Sequence, residues 1–322
     1  MLRSFIVRII FRLIFSAIVL ALMLVASEYA LRYWFRHVRS SGNAAGYFAQ
    51  ARQVEVVRNS LGYRDREPPP KDPSRYRIAV IGDSFTWGQG VEASERFSNR
   101  IEALLGPRDE VLNFGIPGHD MPQHLDVLGQ VLPLAPDFVL LQLYINDFET
   151  SEMRRPKPHP LISEAAARGW GRSSVLYDLA NGHWVQLQEA TGLTESYVHY
   201  LQRNLADPNA PNAQIAFGML RQFIEKAKRA GVGVGLVLFP MTDAMGPYGD
   251  GYPVGFIHDR VRQIAADEQA PFLDLLPAFS TYKDPKSLWV SAFDAHPNAI
   301  ANERAAQEIL NAFSRSWRRA GI

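Results

Sequence analysis

Five short apolar runs, at residues 77–81, 111–114, 138–144, 232–239 and 271–275, alternate with longer helix-compatible stretches at 94–105, 123–132, 213–230 and 256–267. A final helical stretch runs over 298–319. The apolar runs are continuous rather than alternating, which is how strands covered on both faces read. Within the first helical stretch, Ile101, Leu104 and Leu105 form an apolar stripe opposite Arg100 and Glu102. Gly106 and Gly231 stand where helices end.

Strands that alternate with helices predict a parallel sheet with helices on both faces. The fold class expected is α/β: a flavodoxin-like three-layer α/β/α sandwich with a five-stranded parallel sheet. Such sheets bind ligands beyond the carboxyl ends of their strands. The chain of 322 residues allows one large domain or two ordinary ones, and 47% hydrophobic residues suffice for a sizeable core. A net charge of +1 and the lack of a long basic stretch give no case for nucleic acid as a partner. Cysteine is absent, which excludes disulfides, thiolate metal sites and a cysteine nucleophile.

Residues 13–27 carry no charge. At about 1.5 Å per residue this run makes about 22 Å of helix, short of the roughly 30 Å hydrocarbon core. Its flanks extend it. Phe5, Ile6, Val7, Ile9, Ile10 and Phe11 precede it, broken only by Arg8 and Arg12, which can snorkel. Tyr29, Tyr33 and Trp34 follow as an interfacial aromatic belt would. Val25-Ala26-Ser27 is a poor cleavage site, and an all-round apolar terminal helix has little to pack against. The reading is a single-pass transmembrane anchor. Arg3, Arg8 and Arg12 before the span nearly balance Arg32, Arg36 and Arg39 after it. The short leader and large trailing domain favour a signal-anchor, with the amino terminus in the cytoplasm and the catalytic domain periplasmic or otherwise extracytoplasmic.

The organisation expected is an anchor at 1–35, a juxtamembrane linker at 36–74 and one domain at 75–322 with an insertion at about 150–212. Ser40-Ser41-Gly42-Asn43 and Pro68-Pro69-Pro70 mark the linker. The insertion holds His159, Trp170, His183 and Trp184 and is expected to form a helical cap or variable lobe.

Three loops at carboxyl ends of predicted strands carry unusual residues: Gly82-Asp83-Ser84, Gly115-Ile116-Pro117-Gly118-His119, and Asn146-Asp147. A fourth group, Asp294-Ala295-His296-Pro297-Asn298, precedes the last helix. Each has an ordinary structural reading: a turn for Gly-Asp-Ser, an Asx-turn or cap for Asn-Asp, an N-cap at Asn298 for His-Pro-Asn. Together they offer a hydroxyl, an imidazole, a carboxylate and further hydrogen-bond donors at one crevice, the parts of a serine nucleophile with its base. The motif is not G-x-S-x-G, since Thr86 fills the last position, and no phosphate-loop lysine follows. His119, Asp120 and His124 have ligand-type side chains, but a substrate-contact loop or helix start is the simpler reading. Trp87 is read equally as acyl pocket or core, Asp147 as catalytic or capping, and Lys226, Lys228 and Arg229 as a solvated helix face.

With these blocks in this order, the chain resembles the SGNH hydrolases, also called the GDSL esterase/lipase superfamily. Ile81-Gly82-Asp83-Ser84 matches the first block, with Phe85 in place of leucine; Gly118, Asn146, and Asp294 with His296 match the others. The resemblance spans residues 75 to the C-terminus, and residues 59–65 resemble the lead-in of membrane-anchored bacterial members. It implies Ser84 as nucleophile, His296 as base and Asp294 as the acid that holds the imidazole. It also implies an oxyanion hole from the backbone amides of Ser84 and Gly118 and the side chain of Asn146. One departure stands out: family members commonly place the acid three residues before the histidine, and here it is two. That difference can turn the carboxylate away, leaving a main-chain carbonyl to orient the ring.

The implied activity is hydrolysis of acyl esters, foremost O-acetyl groups of carbohydrates, through an acyl-serine intermediate. An O-acyltransferase acting on an exported polysaccharide uses the same residues, and a non-catalytic binding module on this scaffold is the third reading. No cofactor or metal is expected. The expected partners are an acylated small-molecule or glycan substrate, the membrane through the N-terminal helix, and a membrane acyl-transfer partner.

Overall fold

The computed structural model describes residues 2–37, 56–155, 158–162, 174–291 and 294–317. Arg39, the 40–43 stretch, Trp170 and Arg319 lie outside the described residues, as do the side chains of Arg3, Trp34 and Arg36.

The chain opens with α1 (Leu2–His37). The central domain then runs β1 (Tyr76–Gly82), α2 (Ser84–Trp87), α3 (Phe97–Leu105), β2 (Asp109–Gly115), α4 (Met121–Val131) and β3 (Phe138–Leu143). Between β3 and the next core helix lie α5 (Val175–Ala190) and α6 (Tyr197–Leu205). The domain resumes with α7 (Pro211–Arg229), β4 (Gly233–Leu238), α8 (Gly255–Asp267), β5 (Phe272–Asp274) and α9 (Leu276–Phe279). It closes with the short hairpin β6 (Trp289–Ser291) and β7 (Asp294–Pro297), and α10 (Ala299–Trp317).

The first five strands form one parallel sheet in the order β2-β1-β3-β4-β5, the flavodoxin-like arrangement. Alternate side chains serve opposite faces. Ala79 and Ile81 of β1 and Val139 and Leu141 of β3 face a core shared with α4, α6, α7 and α8. Ile78 and Val80, with Phe138 and Leu140, face a second core built on α3 and α10. Each fully buried Leu, Ile or Phe contributes about 1.5–3 kcal/mol of transfer free energy. With both faces covered, each strand reads as an unbroken apolar run.

Part of the stretch at 36–74 read as a linker is packed. Asn59 to Arg66 pack into the domain: Tyr63 is 1% exposed and joins the first core. Arg64 donates to the carbonyls of Gly88 at 2.8 Å and Val91 at 3.0 Å, and Asp65 accepts the Asn113 N–H at 2.7 Å. Charged residues give this stretch a linker composition, but the Arg64 guanidinium and the Asp65 carboxylate bond to main-chain groups of the domain.

Within α1, residues 5–33 are apolar enough to cross a membrane, with mean hydropathy 2.7 and none of that window buried. Near its end, Glu28 accepts the N–H groups of Val175 at 3.0 Å and Leu176 at 2.9 Å and the Ser174 hydroxyl at 3.0 Å. A carboxylate there satisfies orphan donors at the start of α5 and complements its dipole. The start of α5 is thereby tied to the apolar helix.

Candidate active site

Ser84 opens α2 directly beyond β1. The Asp83 carboxylate accepts the Phe85 N–H at 2.9 Å as the N-cap. Gln142 on β3, fully buried, fixes the same turn: its Oε1 accepts from Asp83 N at 3.2 Å, Thr86 N at 3.1 Å and the Thr86 hydroxyl at 2.7 Å. The Ser84 turn is therefore bolted to the neighbouring strand. On its other side it presses on β2, where a Cβ on Gly115 would lie 2.2 Å from the Trp87 nitrogen. Only glycine permits that approach.

His296 comes from the far end of the chain on β7. Its Nε2 lies 2.8 Å from Ser84 Oγ, and its Nδ1 contacts the Asp294 carboxylate. Asp294 also accepts the His296 N–H at 3.0 Å. The two-residue spacing works because these residues lie in a strand, where side chains two apart share a face. Burial would raise the Asp294 pKa, but the hydrogen bond from the His296 side chain, its charge and its N–H hold it below the ordinary value. Asn298 staples the hairpin to α10: it accepts from Ile300 N and Ala301 N at 2.9 and 3.0 Å and donates to Trp289 O at 2.9 Å. The Phe85 ring meets the His296 ring edge-on, with centroids 5.4 Å apart.

The strand order places the other two predicted donors. β2 and β3 flank β1, so the loops after them stand on either side of the Ser84 turn. Gly118, three residues past β2, has φ +77, a left-handed conformation that favours glycine. Asn146 sits in a short 3-10 turn after β3 with Asp147. Its Oδ1 is buried without a partner, and among the described residues its amide nitrogen has no protein acceptor.

The remaining expectations divide. Asp147 is fully buried and accepts the Tyr144 N–H at 2.7 Å, a capping role. It also meets the equally buried His124, with His124 Nε2 3.1 Å from its Oδ1. Trp87 is 6% exposed, which places it in the core, with the Arg58 guanidinium 4.8 Å from its ring. Asp120 is the N-cap residue of α4. Among the described residues no group of three ligand-type side chains could hold a metal ion. Lys226, expected on a solvated face, instead donates to the Leu125 carbonyl at 2.8 Å and ties α7 to α4. Sequence reasoning missed Gln142, which reads as one more strand residue. It also missed the burial of His124 with Asp83 and Asp147; three titratable residues beside three crevice loops were the available signal.

The sequence profile of the GDSL-like lipase/acylhydrolase family matches residues 80–304. The chain belongs to this family. Family membership makes it a hydrolase of the SGNH type, and the matched region contains both Ser84 and His296. Similar solved structures include that of TesA, 16% identical, covering 74% of this chain and 98% of that one, with a TM-score of 0.47. A lipolytic protein of the G-D-S-L family from Veillonella parvula is 16% identical, covering 74% and 99%, with a TM-score of 0.45. Axe2, an acetylxylan esterase from Geobacillus stearothermophilus, is 16% identical, covering 77% and 98%, with a TM-score of 0.44. No curated protein sequence matches the chain significantly.

Proposed function

We propose that this acyl-ester hydrolase works through an acyl-serine intermediate on Ser84 and acts on short acyl esters, foremost O-acetyl groups of carbohydrates. The observation that carries the mechanism is the chain of contacts from Ser84 Oγ to His296 Nε2, and from His296 Nδ1 to Asp294. As Oγ attacks the carbonyl carbon, its proton passes to Nε2. Asp294 holds the Nδ1–H tautomer and stabilises the imidazolium. Negative charge collects on the former carbonyl oxygen, where the amides of Ser84, Gly118 and Asn146 receive it. Collapse expels the alcohol, which takes the proton from His296. A water then attacks the acyl carbon, gives its proton to His296, and the serine leaves with that proton restored. Phe85, next to Ser84, packs on Tyr144 and Phe239 with centroids 4.3 and 5.4 Å away, bulk beside the serine that is compatible with a small acyl group.

The apolar, exposed stretch of α1 supports a membrane anchor, and the short leader before a large trailing domain favours a signal-anchor that carries the hydrolase domain outside the cytoplasm. In that position an acylated glycan is an accessible substrate, and a sugar hydroxyl can replace water as acceptor in the second half-reaction.

A fluorophosphonate probe tests the mechanism. Wild-type protein is expected to label and Ser84→Ala is not; equal labelling of both removes Ser84 from its role. A panel of p-nitrophenyl esters and acetylated oligosaccharides tests the substrate class. Faster turnover of octanoate than of acetate would overturn the short-acyl reading.

A further inference from the structure

Each proposed oxyanion donor has a neighbour in one buried charged cluster. Asp83 precedes Ser84, Asp147 follows Asn146, and His124 lies on α4, the helix that begins after Gly118. All three side chains are fully buried. His124 Nε2 is 3.1 Å from Asp147 Oδ1, and Asp147 Oδ2 accepts the Tyr144 N–H at the start of the Asn146 turn. Asp83 caps the Ser84 turn through Oδ1, and its Oδ2 is buried without a hydrogen-bond partner. Two carboxylates in one dry site repel each other, and an unpaired buried charge is strongly disfavoured. A cation bonded to Asp147 and facing Asp83 offsets that repulsion, at the cost of a buried Nδ1 that has no partner of its own.

We propose that His124 is a positioning residue for the oxyanion hole: as an imidazolium it hydrogen-bonds Asp147, clamping the loop that carries Asn146 to the helix that follows Gly118, and it faces the charge of Asp83 beside Ser84. The inference rests on the serine reading of the preceding subsection.

The electrostatics agree with the geometry. Burial alone would lower the His124 pKa. The charge of Asp147 and its hydrogen bond, then the charges of Asp83 and Asp120, outweigh burial and raise it. The charged and titratable groups facing His124 are therefore Asp147 after β3, Asp83 after β1, Asp120 at the start of its own helix, and His119, whose ring centroid is 6.4 Å away. His119 faces Asp126 in turn. Asp83 faces His296 as well, so the cluster reaches the proposed base electrostatically. Ionised Asp83 stabilises the imidazolium that forms during attack.

The test uses full-length protein in detergent with p-nitrophenyl acetate. His124→Gln keeps a donor for Asp147 but carries no charge. Its kcat should fall about 10- to 100-fold with KM nearly unchanged, the scale of a donor displaced by about an ångström. Its pH profile should also move. Without the cation, Asp83 ionises at higher pH, and the rising limb shifts alkaline. A purely structural role for His124 would lower the melting temperature and leave the limb in place. An unchanged kcat in His124→Gln, or a lowered kcat with an unshifted limb, overturns the inference. Should His124→Gln fail to fold, the His124→Gln/Asp147→Asn pair keeps the hydrogen bond without either charge and carries the same kcat test. Activity surviving in Ser84→Ala would instead overturn the underlying serine reading, whatever His124→Gln does.

Discussion

Asp83→Asn should make the protein more stable at alkaline pH and less active. Burial, then the charge of Asp147, push the Asp83 carboxyl up to about 7 from its ordinary 3.8, against the pull of the Phe85 N–H, His124 and His296. The folded pKa is raised, so the native state keeps a proton that the unfolded chain has lost. Below about pH 4 both states are protonated and no penalty exists. Stability then falls as pH climbs through the window from 3.8 to about 7, and the full penalty applies above it. Three pKa units at about 1.4 kcal/mol each give an upper limit of about 4 kcal/mol. Asparagine cannot ionise, yet its carbonyl still caps Phe85 N. The variant should therefore be the more stable protein at pH 8 by up to about 4 kcal/mol, or roughly 8–16 °C in melting temperature for a domain of this size. The gap should close toward pH 4. Turnover should drop, because the charge facing His296 is gone, a trade of activity for stability. Thermal unfolding of both proteins at pH 4, 6 and 8 supplies the comparison. A variant less stable at every pH, or a gap that does not change with pH, would refute the electrostatic account of Asp83.

Two further outcomes follow from specific contacts. Asp294→Asn cannot hold the Nδ1–H tautomer of His296 and should lower kcat by about 10³–10⁴ with little change in KM; a loss under tenfold would mean that Asp294 does not orient the base. Arg77→Met strips Glu110 of a partner at 2.5 Å where both side chains are nearly inaccessible, and should cost about 3–5 kcal/mol in denaturant unfolding, most of it regained in Arg77→Met/Glu110→Gln. A neutral single variant would show that Glu110 finds another partner, with Arg75 Nη1 at 3.7 Å as the obvious one.

The parallel sheet could be read from the chain because its strands are buried on both faces, which makes them continuous apolar runs such as Phe138–Leu143. The catalytic-end loops could be read because their polar residues interrupt those runs at each carboxyl end. Other features depend on tertiary contact and leave no local trace. Gln142 is polar in the middle of β3 and fully buried, yet its purpose appears only when the Ser84 turn folds over it. Arg64 and Asp65 look like linker residues until the carbonyls of Gly88 and Val91 and the N–H of Asn113 are placed around them. The hairpin of β6 and β7 is too short and too polar to signal itself, with Trp289–Ser291 against Asp294–Pro297.

That hairpin decides how the acid reaches the base. Read as a loop, a carboxylate two residues before an imidazole points unpredictably, and the departure from the three-residue spacing looked like a weakness. Read as a strand, the same spacing is the one that puts both side chains on one face. The order β2-β1-β3 then accounts for the rest of the arrangement. Ser84, the proposed nucleophile, stands on the middle of the three strands, so the loops on its two sides are the natural sources of donors for the proposed oxyanion hole. The imidazole must arrive from another direction, and here it comes from a hairpin outside the parallel sheet. Because α10 is capped by Asn298, whose amide also grips the Trp289 carbonyl, the position of His296 is fixed by the last helix packing on the sheet. Loosening that helix should therefore disturb His296 before it disturbs Ser84.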